Sequence, residues 1–404
     1  MTDGAPGTRP AGLRIPLAAV LTAAAVVNVG SIYLAQPLLP FIGDSLDAGA
    51  GAMAVVQAAL QLAFGAGLVT WGILADTRER RRLLTVMASG LLASAVLAAA
   101  APAYGVFLAA SLGMGAFAAV LPVLIATAGA AGDRRALVGI LSGAPAGIVL
   151  GRTLAGLLGE IDWRLAFVLS AVASAAMVAV VRAVLPAQPP SAGGVRLGRA
   201  LREMAGLLTL PGNLLTNLSN SVVFIGWSAV WTMLSFLLEG DDYGFTPVDI
   251  GLVGLVLLGG AVSGQAGMRL GAVLGEAGGA RVCIAAAAAA ALVLTFGYAS
   301  LPLLLLGLFV HNAAVWVLQA VNVPGAARRA GQARAARGTA LLYLTNFVCT
   351  AVGAVAGAAL WRAWGWGGVG ALAVGSCAVG GLFDLLGRAR AGDGAVAAAE
   401  RGSA

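Results

Sequence analysis

The sequence is short of charge. Of 404 residues, 24 are basic and 17 acidic, so 10% are charged, where a soluble domain carries about 25%. That poverty excludes a disordered chain, which needs charge and polarity to stay solvated, and an ordinary soluble enzyme. Lysine is missing altogether, which excludes a Walker A phosphate loop, whose Lys reaches the terminal phosphates. An ATP-driven motor within this chain is therefore not expected. Histidine occurs once, as His311, and one imidazole cannot build a His-based metal centre. The three cysteines, Cys283, Cys349 and Cys377, fall inside apolar runs. They read as small core residues, with neither zinc spacing nor a disulfide framework. No metal, cofactor, nucleic-acid partner or catalytic residue is expected.

What the chain has instead is apolar length: 60% hydrophobic residues and a mean hydropathy of +0.94. A bilayer core takes about 20 apolar residues per helix. Twelve runs meet that need: 16–40, 53–73, 83–101, 104–128, 137–158, 165–185, 213–238, 250–270, 282–299, 302–321, 339–360 and 368–387. Backbone polar groups in lipid must be satisfied within the segment, and the runs lack the polar–apolar alternation of barrel strands. The fold class expected is thus an all-α membrane protein of twelve spans. The first run resembles a signal peptide at its start, but it extends past Tyr33 to Leu39, too long for a signal core. It reads as an uncleaved first span.

Arginine placement orients these spans. Threading the twelve runs puts 21 of the 24 arginines on one face, leaves Arg164 and Arg362 on the other, and keeps Arg152 within a run. By the positive-inside rule the rich face is cytoplasmic, with both termini on it. The net charge of +7 is then a topology signal and no partner-binding patch. The other face holds eight of the 17 acids, among them Asp241, Asp242 and Asp249. The longest connection on the Arg-rich face contains QPPSAGG and divides the chain near its middle. The expected organisation is a tail over 1–13, a six-helix bundle over 14–186, a linker over 187–210, a second bundle over 211–388 and a tail over 389–404. Duplicated halves of this kind hold a midplane site in secondary transporters. A twelve-helix membrane protein without internal symmetry is the alternative.

Between the second and third runs stands GILADTRERRRLL, residues 72–84. It resembles the loop signature of the major facilitator superfamily: Gly72, Leu74, Ala75, Asp76, Arg80, Arg81 and Leu84 match, while Thr77 and Glu79 depart. Span one ends in NVGSIYLAQPLLPFIGD, span five reads SGAPAGIVLGRTLAG followed by Asp162-Trp163-Arg164, and ARAARGTALLYLTNF opens span eleven. These stretches are similar to the drug and sugar efflux branch of the same family, in order along nearly the whole chain. The resemblance implies two pseudo-symmetric bundles in the cytoplasmic membrane of a bacterium, alternating access, export of a small amphipathic or drug-like molecule and proton antiport by a monomer. It also implies a gate at Gly72, Asp76, Arg80 and Arg81, in which Asp76 meets the start of span eleven; the positive end of a helix dipole there favours an acid. An Arg-rich loop that only sets orientation is the plainer reading. In span four Ser111 and Met114 stand where the family pattern has Arg and Gln, and in the second half Gly275 takes the loop's Asp position.

Ionisable groups deep in a membrane are costly and mark function. No Asp or Glu lies mid-span; Arg152 and His311 are the exceptions to an otherwise uncharged interior. Arg152 either binds an anionic group or a carboxylate such as Asp44, or snorkels to the headgroups. His311 either relays protons or sits neutral, hydrogen-bonded to a neighbouring helix. The proton-coupling candidates are His311, Asp44 and Asp76. Candidate substrate contacts are Asn28, Tyr33, Gln36, Gln57, Gln61, Arg152, Trp227, Trp231, His311, Asn312, Tyr343 and Asn346, with Gln319 a further polar neighbour. Trp227 and Trp231 are four apart, hence on one helix face, and aromatics with a few amides suit a lipophilic ligand. A symporter or facilitator for a small metabolite is the second reading. A membrane receptor or scaffold that kept the fold and lost transport is the third.

Overall fold

The computed structural model describes residues 16–187, 197–210 and 212–402. Every regular element among them is helical. Fourteen α-helices follow one another: α1 (Leu17–Ser31), α2 (Leu39–Ser45), α3 (Ala50–Thr77), α4 (Arg80–Ala99), α5 (Tyr104–Ala118), α6 (Leu121–Ala130) and α7 (Arg134–Gly159). The chain continues with α8 (Arg164–Val184), α9 (Leu197–Leu208), α10 (Asn213–Glu239), α11 (Pro247–Val253), α12 (Ser263–Gly297), α13 (Leu301–Ala330) and α14 (Ala335–Gly402).

Ten helical stretches are long and apolar enough to cross a bilayer. Eight correspond to single expected runs. The other two, Pro247–Gly297 with 51 residues and Gln332–Arg390 with 59, each take in two. At about 1.5 Å per residue they run to roughly 75–90 Å, more than twice the hydrocarbon core. Each contains a break: Gly275 at φ 70° inside α12, and Trp364 with Gly365 (φ 59°) inside α14. Positive φ is the region glycine enters without a Cβ clash.

Proline breaks two further spans. Span one is helical to Ser31, turns at Tyr33, and resumes at Gln36. Pro37 has no N–H and its ring crowds the carbonyl four residues back, which is Tyr33's. Span four splits between α5 and α6 in the same way, with Pro122 at the start of α6. The first break leaves Tyr33 at a bend, its side chain facing the middle of the molecule.

Glycines set how the helices pack. A Cβ on Gly147 of α7 would lie 2.4 Å from Val26 O of α1, and one on Gly151 2.5 Å from Gly30 O. In the second half a Cβ on Gly353 of α14 would lie 2.2 Å from Ile225 O of α10, and one on Gly357 2.7 Å from Ala229 Cβ. Each half thus presses its fifth span onto its first through glycines four residues apart, which form one smooth stripe on a helix.

Part of the expected linker, 187–210, is helix α9. Its buried residues Ala200, Met204 and Leu207 follow a helical repeat, and Met204 and Leu207 pack with Val69 and Ile73 of α3 and with Leu341 and Leu344 of α14. The QPPSAGG segment and residues 1–15, with Arg9 and Arg14, lie outside the described residues.

Candidate functional site

Two adjoining cavities open at the centre of the bundle. One has a volume of about 90 Å³ and is lined by Tyr33, Pro145, Ile148, Trp227, Leu257, Gly260, Ser263, Asn312 and Trp316. The other, about 30 Å³, is lined by Tyr33, Gln61, Phe224, Trp227, Trp316, Gln319, Tyr343, Asn346, Phe347 and Thr350. They share Tyr33, Trp227 and Trp316 and so form two lobes of one space. The combined lining draws on spans of both halves. These volumes hold a few water molecules, whereas a ligand site typically has roughly 300–1,000 Å³, so a substrate needs the walls to part.

The walls are aromatic. Trp316 meets Trp227 edge to face, with ring centroids 6.0 Å apart at 88°, and meets Phe224 at 5.8 Å and 90°. Phe64 and Phe347 do the same across the two halves at 5.0 Å. Such contacts each stabilise by about 1 kcal/mol beyond area burial. Behind the second lobe runs a buried chain of amides and hydroxyls on α10, α13 and α14. Asn220 Nδ2 donates to Gln319 Oε1 at 2.9 Å and approaches Asn346 Oδ1 at 3.0 Å, and Asn322 Nδ2 donates to Asn220 Oδ1 at 3.1 Å. Ser221 joins it at 2.6 Å from Asn346 Oδ1. A largely satisfied network of this kind holds its members rigid.

Among the expected contacts, Tyr33, Gln61, Trp227, Asn312, Tyr343 and Asn346 line the cavity. The others do not. Asn28 turns back on its own helix, its Nδ2 2.8 Å from Ala24 O. Gln57 is fully buried, with neither side-chain polar atom partnered, and both ring nitrogens of the buried His311 are likewise without a hydrogen-bond partner among the described residues. The hydrogen bond to a neighbouring helix that would hold His311 neutral is thus not made. Arg152, 2% exposed, donates to Gln36 Oε1 and lies 4.5 Å over the ring of Trp231. Neither a carboxylate nor the headgroup level receives it, and Asp44 is exposed. Trp231 therefore faces Arg152, a cation–π contact joining the two halves. Beside it α7 and α11 meet backbone to backbone: a Cβ on Gly156 would lie 2.5 Å from Pro247 O.

The sequence and the fold of known proteins bear on this arrangement. The pattern of the Major Facilitator Superfamily matches residues 21–218. A probable transporter of Streptomyces coelicolor, SCO4007, is 33% identical over 405 residues, which cover 95% of this chain and 87% of that one. The chain belongs to the major facilitator superfamily. It is a multi-pass membrane transporter. The transporter YgaY of Escherichia coli K12 is 30% identical over 58% of this chain and 61% of its own. Among solved structures, a mutant of the nucleoside transporter NupG superposes with a TM-score of 0.80 at 12% identity, over 92% of this chain and 100% of that one. A bacterial homologue of the lysosomal transporter Spinster gives 0.72 at 14%, over 96% and 99%.

In this facilitator the two Arg-rich loops differ. In the first, Gly72 packs 3.3 Å, at its would-be Cβ, from Pro122, and Arg80 is buried. Arg81 Nη2 donates to Arg182 O at 2.6 Å. Glu79, the residue that departs from the family pattern, is the N-cap of α4, accepting from Arg81 N and Arg82 N at 3.1 and 3.0 Å. Asp76 is exposed, and no hydrogen bond or ion pair among the described residues holds it in this conformation. The second loop has no acid at the matching place but one beside it. Glu276 takes Arg328 at 2.7 Å, Arg329 at 2.6 Å and Arg388 at 3.8 Å. Asp384, 1% exposed, takes Arg388 at 2.6 Å and Arg281 at 3.3 Å.

Sequence reasoning passed over Trp316, Phe224, Thr350 and Glu276. Trp316 lies four residues past Asn312, on the same helix face, and that spacing was the signal for it. Glu276 carried the signal of an acid next to a degraded motif. Helix α9 is held by Glu203, which accepts from Arg199 Nε at 2.9 Å and pairs with Arg337. The Arg199 hydrogen bond, with help from Arg337, holds the Glu203 carboxyl below the usual carboxylate range.

Proposed function

We propose that this facilitator is a secondary active exporter of the bacterial cytoplasmic membrane, with twelve spans in two six-helix halves and both termini cytoplasmic. It moves a small amphipathic or drug-like molecule by alternating access, as a monomer, in exchange for protons. The observation that carries this reading is the cavity itself: an aromatic and amide space lined by both halves, at the level where repeated transporter halves bind substrate. The twelve-span count rests on the breaks at Gly275 and at Trp364–Gly365, which divide two overlong stretches. Arg152 on Trp231, with Gly156 against α11, is the closed gate at the acid-bearing face. The α9, α3 and α14 contact is the closure at the Arg-rich face, and Asp76 is the latch of another conformation.

His311 is the favoured proton carrier, because it is a buried titratable group whose ring nitrogens have no partner among the described residues. Asp44 and Asp76, both exposed, are candidates through their changing surroundings in the cycle. The test is expression in a drug-sensitive host across a compound panel, with and without a protonophore. Raised tolerance that the protonophore abolishes, and a pH dependence of efflux that flattens in His311→Ala, is the expected result. Unaltered pH dependence in that variant removes His311 as the carrier. One observation favours a second reading, uncoupled movement of a metabolite: no carboxylate is among the residues that line the cavity. Efflux insensitive to the protonophore would select it.

A further inference from the structure

The lining of the cavity carries no formal charge, for neither lobe has an Asp, Glu, Arg or His among its lining residues. An ion entering it would give up water with no opposite charge to receive it. The buried Arg152 lies near Tyr33 but is not among the lining residues, and its guanidinium is engaged by Gln36 and by the ring of Trp231.

One amide in this wall has a fixed direction. Trp227 Nε1 is a donor and nothing else, and it lies 3.0 Å from the Asn312 side chain. The atom there must be Oδ1, since an amide nitrogen in its place would set donor against donor. Asn312 Nδ2 therefore points away from the indole. It is buried and has no partner among the described residues. Opposite it stands Gly260, whose would-be Cβ lies 3.2 Å from Asn312 Nδ2 and 3.5 Å from Trp316 Cδ1. Gly260 thus keeps open the space in front of an unsatisfied N–H, between Trp227, Trp316 and Tyr33. A buried donor left unmade costs free energy that an acceptor on a ligand recovers.

We propose that the cavity selects uncharged molecules with a flat aromatic or conjugated body and one hydrogen-bond acceptor, a carbonyl oxygen or ring nitrogen, received by Asn312 Nδ2. This rests on the reading of the cavity as the substrate site and adds the class of substrate. A charged congener is rejected by desolvation, and a flat hydrocarbon lacking the acceptor leaves the amide unpaired.

The experiment uses purified protein and three matched probes, 2-naphthamide, 2-naphthoate and 2-naphthylmethylammonium, titrated by calorimetry. The amide is expected to bind at least tenfold tighter than either ion. Asn312→Leu should weaken the amide at least fivefold and leave the ions unchanged. Gly260→Ala, which leaves the Trp227 contact in place, should weaken the amide as well. Asn312→Asp keeps an acceptor for the indole, loses the donor and gains a charge, so it should turn the preference towards the ammonium. Equal binding of amide and ions to the natural protein, amide binding unchanged in both Asn312→Leu and Gly260→Ala, or no binding of any probe would overturn the proposal. Binding needs no export. A protein that takes the amide through Asn312 yet exports nothing would sink the export reading and leave this one standing.

Discussion

The two halves share a skeleton and differ in chemistry. In each, the fifth span presses glycines onto the backbone of the first: Gly147 and Gly151 on Val26 and Gly30, Gly353 and Gly357 on Ile225 and Ala229. The close approach is geometric and repeats with the fold. The polar groups do not repeat. The amide and hydroxyl chain through Asn220, Gln319, Asn322 and Asn346 belongs to the second half alone. So does the acid hub, where Glu276 and Asp384 hold four arginines. The first half has instead an exposed Asp76 and an Arg152 whose partners are an amide and an indole. The backbone packing is alike in the two places, and the side chains around it differ. On the proposed cycle, the amide network of the second half is the rigid wall, and the Arg152–Trp231 contact between the halves is one that must open.

The comparison can be broken most forcefully at the shared skeleton. Gly147→Ala and Gly353→Ala each drive a Cβ into a backbone carbonyl that cannot retreat, at a cost of about 2–3 kcal/mol. Both should lower Tm by several degrees and to a similar extent. A fall in one variant only would mean that the halves are not equivalent frames. A second effect should separate the loops. Glu276→Gln removes the acid from a partly buried cluster and should cost about 2 kcal/mol, read as a lower Tm. Asp76→Asn should leave Tm unchanged and abolish efflux, since Asp76 holds nothing among the described residues in this conformation. Normal efflux in Asp76→Asn would end its part as a latch.

The smallest effect concerns α9. The folded-state value of the Glu203 carboxyl lies below its usual one, so its contribution is full at neutral pH and is lost as pH falls through the lower folded value. Glu203→Gln should therefore raise hydrogen exchange across Leu197–Leu208 a few-fold at pH 7 and have little further effect in strong acid. Unchanged exchange at neutral pH would mean that α9 is held by its apolar face alone.

Much of the fold was legible because lipid leaves few choices and apolar length marks the spans; the breaks at Pro37 and Pro122 were passed over, since runs 16–40 and 104–128 read as continuous. The glycines four residues apart in SGAPAGIVLGRTLAG carried a signal for close helix packing. The cavity was half legible. Tyr33, Trp227 and Asn312 stood out as polar or aromatic residues in apolar runs, but which face of each helix looks inward is set by the crossing of several helices at once. The same property misled at Asn28, which satisfies its own helix, and at Trp231, which looks toward Arg152. Charge partners were hardest. Glu276 and Arg388 are far apart in sequence, and only the fold brings them within reach. Helix α9 was hidden because its repeat of Ala200, Met204 and Leu207 is short and interrupted by glycine and charge.

The central claim is that the two halves open one end of the cavity while closing the other. Distances between spin labels measure this directly, with one pair at the acid-bearing end, Ile161→Cys with Asp242→Cys, and one at the Arg-rich end, Arg135→Cys with Arg269→Cys. All four positions are exposed, and the labels would be placed after Cys283, Cys349 and Cys377 are replaced by alanine. The account predicts two distance populations at each end, shifting in opposite senses when pH or 2-naphthamide is varied. A single, unmoving distance at both ends under every condition would contradict it.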